Sequence, residues 1–188
     1  MDTPDPATAL DARAGLPSGL DALLARHPRE GWETHPEFGP LTRFWLDRHL
    51  GFRALLDRLR ADAAVALDGG MDGRDHARRL ARLGGGFLQG LHGHHAIEDE
   101  HYFPRLVALA PGLERGFGIL DADHHRLHAE LDLFERDATA VLRGGGRDAL
   151  GPFADGLERM DRFLRRHLED EEDLVVPVIL DVGEGRLG

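Results

Sequence analysis

Two segments of the chain repeat one frame. His94 is followed four residues later by Glu98 and ten later by Pro104 (HHAIEDEHYFP), and His167 is followed in the same steps by Glu171 and Pro177 (HLEDEEDLVVP). An imidazole and a carboxylate four residues apart lie one above the other on a single helical face. When the rest of that face is apolar it turns inward, and an interior charge persists only against a partner or a cation. The frame therefore asks for long helices whose inward stripes share a polar, cation-binding centre.

The surrounding patterns supply such helices. The first is expected from Leu41 to Leu67, where Trp45, His49, Phe52, Leu56 and Leu59 fall in steps of four and three and DGGMDG ends the run. The second spans about Arg74 to Leu109, with Pro104 kinking it or splitting off a last turn. The third starts near Pro111 and ends at Gly144 to Gly146. The fourth runs from about Arg147 to Val176, with Pro177 kinking or ending it, on a stripe of Met160, Phe163, Leu164, His167, Glu171, Leu174 and Val178. No period-two alternation persists, so the fold class is all-α, an up-down-up-down four-helix bundle over residues 41–180. Residues 1–40 are expected to form an N-terminal leader, mobile through residue 17, then a short helix capped by Ser18 and Asp21, then a Pro/Gly-rich loop; residues 181–188 form a tail.

Composition narrows the chemistry. The chain has 188 residues, enough for one domain with a full core. It has no cysteine, which excludes disulfides, iron–sulfur clusters and thiol chemistry. A net charge of −11 argues against nucleic acid and anionic membrane as partners. No long apolar window or basic-then-apolar leader pattern is evident, so a cytoplasmic location is expected. Seven of the twelve histidines cluster at His92, His94, His95 and His101, and at His124, His125 and His128.

Reading the polar interruptions of each stripe gives the candidate ligands. His49 interrupts the first helix, His94 and Glu98 the second, His124 and His128 the third, and His167 and Glu171 the fourth. Five imidazoles and two carboxylates exceed what one tetrahedral zinc takes, and fit two metals bridged by the carboxylates with one position open. Imidazole-rich sites suit iron, copper, nickel or zinc. A small rotation of the second helix would exchange His94 for His95. Glu169, Asp170 and Asp173 read as a solvated acidic face, and His27, His35, His76, His92, His95 and His125 as surface or loop residues. His101 and Tyr102 are candidate partners of Glu98, with Tyr102 as a ligand the lesser reading, and Trp32 and Phe38 are expected to anchor the entry loop.

In this order and spacing the residues resemble the hemerythrin family, in particular its single-domain bacterial HHE cation-binding members. The likeness rests on His49, the HxxxE of His94 and Glu98, the HxxxH of His124 and His128, and the HxxxE of His167 and Glu171. The sequences EDxxYFP and EExxVVP that follow each pair add to it. It implies a non-haem centre of two iron ions, oxo- or hydroxo-bridged, with Glu98 and Glu171 joining them and a place for dioxygen, peroxide or nitric oxide. In animal hemerythrins the last carboxylate lies five residues after its histidine, which makes Glu172 the alternative to Glu171.

Three function classes follow. The first is a small-molecule binding protein for storage, delivery or sensing of dioxygen or a related diatomic. The second is a diiron enzyme acting on peroxide or nitric oxide, or an oxidase. The third is a metal- or redox-dependent regulator working through a protein partner at the leader and the 28–40 loop.

Overall fold

A computed structural model of the chain describes residues 9–10, 12–20 and 22–187. These hold six α-helices and no strand: α1 (Ala22–Arg26), α2 (Pro40–Leu67), α3 (Gly73–Ile97), α4 (Phe103–Leu109), α5 (Glu114–Leu142) and α6 (Gly146–Val182). Short 3-10 segments lie at Arg29–Thr34 and Glu184–Arg186, and a π-helical turn, Glu98–Tyr102, joins α3 to α4. Of the expected cap, Asp21 lies outside the described residues.

The helix limits follow from local chemistry. α2 ends where Gly69 adopts φ +77°, with Gly70 N–H bonded to the Val65 carbonyl and Gly69 N–H to that of Ala66. α5 ends the same way at Gly144, φ +86°. Only glycine enters this left-handed region without strain, so both stops are written in the sequence. At its start, α2 is capped by the Glu184 carboxylate, which accepts from the Leu41 and Thr42 amides at 2.8 and 3.1 Å. Asp72 caps α3, accepting from Arg74 N–H at 2.9 Å.

Both prolines of the repeated frame lie inside helical structure, with different outcomes. Ahead of Pro104 the helix widens into the π-turn, in which Phe103 N–H bonds back to the Glu98 carbonyl. Pro104 then occupies the first turn of α4, where its missing N–H costs nothing. Pro177 does not end α6, which continues to Val182. Val178, Ile179 and Leu180 beyond it are buried, and that packing offsets the roughly 3 kcal/mol a mid-helix proline costs. α5 begins at Glu114, three residues later than expected, because Gly112 takes φ +101°.

The chain divides into two compact units: Met1–His49 with His95–His124 and Arg165–Gly188, and Leu50–His94 with His125–Leu164. Each of α2, α3, α5 and α6 contributes to both. The first unit has its core around Trp45, Phe103, Leu106, Leu120, Leu174 and Val178, and Trp32 packs on Val176 and Leu180. The second packs Phe134 between Phe87 and Phe153, at ring distances of 5.7 and 5.5 Å, and a two-pronged Arg79–Asp62 pair ties α2 to α3.

The described part of the N-terminal segment departs from the expectation of mobility. Leu10 and Leu20 are buried, and Arg13 is buried in ion pairs with Asp123 and Asp170. Asp170 is in turn no part of a solvated face: it is fully buried and also holds Arg166 at 2.6 Å. Aperiodic segments carry no stripe that would announce such docking, which here is anchored by single residues. The tail likewise packs inward through Leu187.

Candidate metal centre

Among the described residues, two groups offer ligand atoms that lie within 4.8 Å of one another. One is His95, His124 and His167, and the other is His49, His94, Glu98 and Glu171. All are buried except His94, which is half-buried. Six of the seven residues expected from the sequence are thus gathered. His128 is in neither group: one turn further along α5, it lies half-buried with its ring 5.3 Å from that of His92. His95, expected at the surface, is fully buried and stacks on His124 at 4.1 Å. Phe87 and Leu91 point down α3 to positions 94 and 95 alike, so the stripe alone could not separate them.

The first group is tightly assembled. His124 also stacks on Phe103 at 5.3 Å and meets His167 edge-on at 4.8 Å. Burial pushes His167 down to about 3, so its ring is neutral at any ordinary pH.

Each of three rings is oriented by a carboxylate from another helix. His124 Nδ1 lies 2.7 Å from Asp99 Oδ1, His49 Nδ1 3.0 Å from Glu172 Oε1, and His167 Nδ1 3.4 Å from Asp123 Oδ2. With the proton held on Nδ1, the Nε2 lone pair is left to face inward, as a metal-binding histidine requires. Every one of these carboxylates is the chain neighbour of a candidate ligand: Asp99 of Glu98, Asp123 of His124, Glu172 of Glu171. A one-residue step turns about a quarter of the way around a helix, enough to aim the acid at the next helix's histidine. Glu172, weighed as a ligand, serves here as the partner of His49. His101 is exposed, and Tyr102 lies against Trp45 at 5.4 Å.

Inside this ring of acids the polar atoms face one another. His124 Nε2, His167 Nε2 and both Glu171 oxygens are buried and make no hydrogen bond among the described residues. Glu171 Oε2 lies at ion-pair distance from His167 Nε2, 3.4 Å, and from His49 Nε2, 3.6 Å, and its carboxyl is close to that of Glu98. Burial lifts the Glu98 carboxyl to about 8. It lifts Glu171 well above the usual range too, with the nearby Glu98 adding to the effect. Buried carboxyl groups set against inward-facing lone pairs are costly as a protein core and suited to a divalent cation, which satisfies both.

Residues 41–180 match the family model of the hemerythrin HHE cation binding domain. The chain belongs to that family. The hemerythrin match covers all four long helices, whose all-α arrangement is the helical bundle the sequence led one to expect. No curated protein and no solved structure matches the chain. Cation binding is therefore the function the hemerythrin HHE domain brings, and the two ligand groups are where the structure gathers residues fit for it. No described helix is long and apolar enough to cross a membrane.

Proposed function

We propose that this hemerythrin-like protein holds two iron ions and binds dioxygen or a related small molecule for storage, delivery or sensing. One ion would be held by His95, His124 and His167, the other by His49 and His94, with Glu98 and Glu171 shared between them. The observation that carries the reading is the set of inward-facing Nε2 and carboxylate oxygen atoms without hydrogen bonds, ringed by acids that hold the outer nitrogens. His95 takes the place expected of His128 because its ring lies with those of His124 and His167.

Bound iron would supply reversible electron transfer to a diatomic ligand. The chain's residues set the conditions for it. Asp99, Asp123 and Glu172 fix the rings, and Trp45, Phe103 and Leu174, all buried, keep bulk water from the centre. Five imidazoles against two carboxylates leave the site less anionic than the carboxylate-rich ferritin-like centres. That balance gives less support to high-valent iron, and so favours binding over oxidation of strong bonds.

The test is elemental analysis of protein expressed with iron supplementation, together with an aerobic absorption spectrum. About two irons per chain with near-ultraviolet oxo-to-iron bands support the proposal. One zinc, or no metal, overturns it. Stopped-flow mixing with dioxygen and with peroxide then separates a carrier, which releases its ligand unchanged, from an enzyme that turns over.

A further inference from the structure

The N-terminal segment reaches the candidate centre by two separate routes. Arg13, its side chain 2% exposed, donates from Nη1 to Asp123 Oδ1 at 2.8 Å and from Nε to Asp170 Oδ2 at 2.7 Å. Arg13 Nη2 also donates to Asp123 Oδ2, the oxygen that faces His167 Nδ1. Arg29 donates from Nη1 to Glu172 Oε2 at 2.8 Å, and the second Glu172 oxygen faces His49 Nδ1. Arg29 is further fixed by Asp173 at 2.7 Å and by the Glu169 carbonyl at 3.1 Å. In both routes an arginine grips a carboxylate that orients an imidazole: Arg13 holds both oxygens of Asp123, and Arg29 holds the Glu172 oxygen that does not face His49.

We propose that Arg13 and Arg29 are positioning residues of the metal centre, each fixing through one carboxylate the Nδ1 side of one metal-binding histidine. The inference rests on the cation-binding reading of His49 and His167. A carboxylate held by a guanidinium that is itself fixed at further acceptors has little freedom to turn, so the direction in which it holds the ring is set. The charge matters as well, since each guanidinium meets its acid as an ion pair. An ionised acid is the better acceptor for an imidazole N–H and makes the ring a stronger ligand.

Structural need alone gives a weaker account of these contacts. Buried ion pairs add little net stability over apolar packing. The two routes nevertheless start from one short segment and end on histidines of different ligand groups. Coupling of this kind is reciprocal, so a bound metal must also tighten the hold on residues 12–34.

The experiment uses the full chain loaded with iron, challenged with excess ferrous chelator under reducing conditions, with release followed by absorbance. Arg29 is 40% exposed, so Arg29→Gln leaves the core intact. Release is expected to quicken about tenfold, the lower end of what loss of an outer partner costs a metal site. Glu172→Gln should quicken release at least as much, and the double variant no more than Glu172→Gln alone, because Arg29 acts through Glu172. Arg13→Lys, which keeps the charge and loses the fork, should shift the near-ultraviolet bands. Arg60→Gln, which breaks a pair with Glu158 in the second unit, should change neither readout. Wild-type release in Arg29→Gln, or effects of Arg29 and Glu172 that multiply, overturns the proposal while the metal reading stands. A wild-type chain that takes up no iron overturns both before any variant is made.

Discussion

Protein stripped of metal by chelation should lose stability as pH rises from about 6.5 to about 8. Glu98 drives the effect. Burial raises its carboxyl from 4.5 to about 8, so across that window the folded chain keeps a proton that the unfolded chain has released. The contribution is whole below 4.5 and is lost as pH climbs to about 8, each pH unit withdrawing about 1.4 kcal/mol. Over about 3.5 pH units this approaches 5 kcal/mol, a large share of a typical net stability of roughly 5–15 kcal/mol. Glu171 shifts in the same direction and steepens the fall. His167 acts oppositely: lowered from 6.5 to about 3, it contributes fully above 6.5 and loses that contribution as pH falls toward 3. Between 4.5 and 6.5 Glu98 and His167 nearly cancel, so the metal-free protein should be most stable in mild acid. Urea unfolding followed by circular dichroism at half-unit steps from pH 4.5 to 8.5 measures the curve. Glu98→Gln should flatten its alkaline limb, and iron loading should remove it, since the cation stands where the protons were. A metal-free protein equally stable at pH 6.5 and 8, or a Glu98→Gln variant with the wild-type slope, would refute the reasoning.

Other substitutions test single links. His95→Ala is expected to lower iron content by about half or more, while His128→Ala keeps it near the wild-type value; elemental analysis of the two purified variants decides between the rings. Glu184→Ala removes the acceptor for two amides at the start of α2 and should cost about 1 kcal/mol in urea unfolding. Phe87→Ala, at a fully buried ring against Phe134, should cost about 3–5 kcal/mol. Gly69→Ala forces a side chain into φ +77° and should cost about 1 kcal/mol, seen as a lower thermal midpoint with iron content unchanged.

What could be read from the sequence was whatever repeats along a helix. The four long helices and six of the seven gathered candidate residues follow stripes of three- and four-residue steps, because a side chain that meets others in a bundle interior must recur at that period. The prolines were harder. Pro104 and Pro177 share a frame, yet one sits behind a π-turn and the other lies inside a continuous helix, and buried residues lie on both sides of each, so the frame alone does not tell them apart. That His95 joins His94 in the gathered set was out of reach too, since adjacent positions at the edge of a stripe are separated only by packing. Arg13 and Arg29 left no periodic trace at all, because they dock through single ion pairs from an aperiodic segment.

The outer acids belong between these cases, and they suggest what a second reading of such a chain should look for. A carboxylate that orients a histidine on another helix cannot lie at the centre of its own stripe, where it would become a ligand itself. Far around the helix it would face solvent. The position beside a ligand meets both conditions, and Asp99, Asp123 and Glu172 all occupy it. Asp123 was visible in another way too, three residues after Leu120 and four before Leu127 on the buried line of α5. The run EDEEDLV is then no uniform acidic face. Its members alternate between tasks as the helix turns: Glu169 meets solvent, Asp170 holds Arg13 and Arg166, Glu171 faces the centre, and Glu172 joins Arg29 to His49. Four consecutive acids on a helix face four directions, and in this protein each direction presents a different partner.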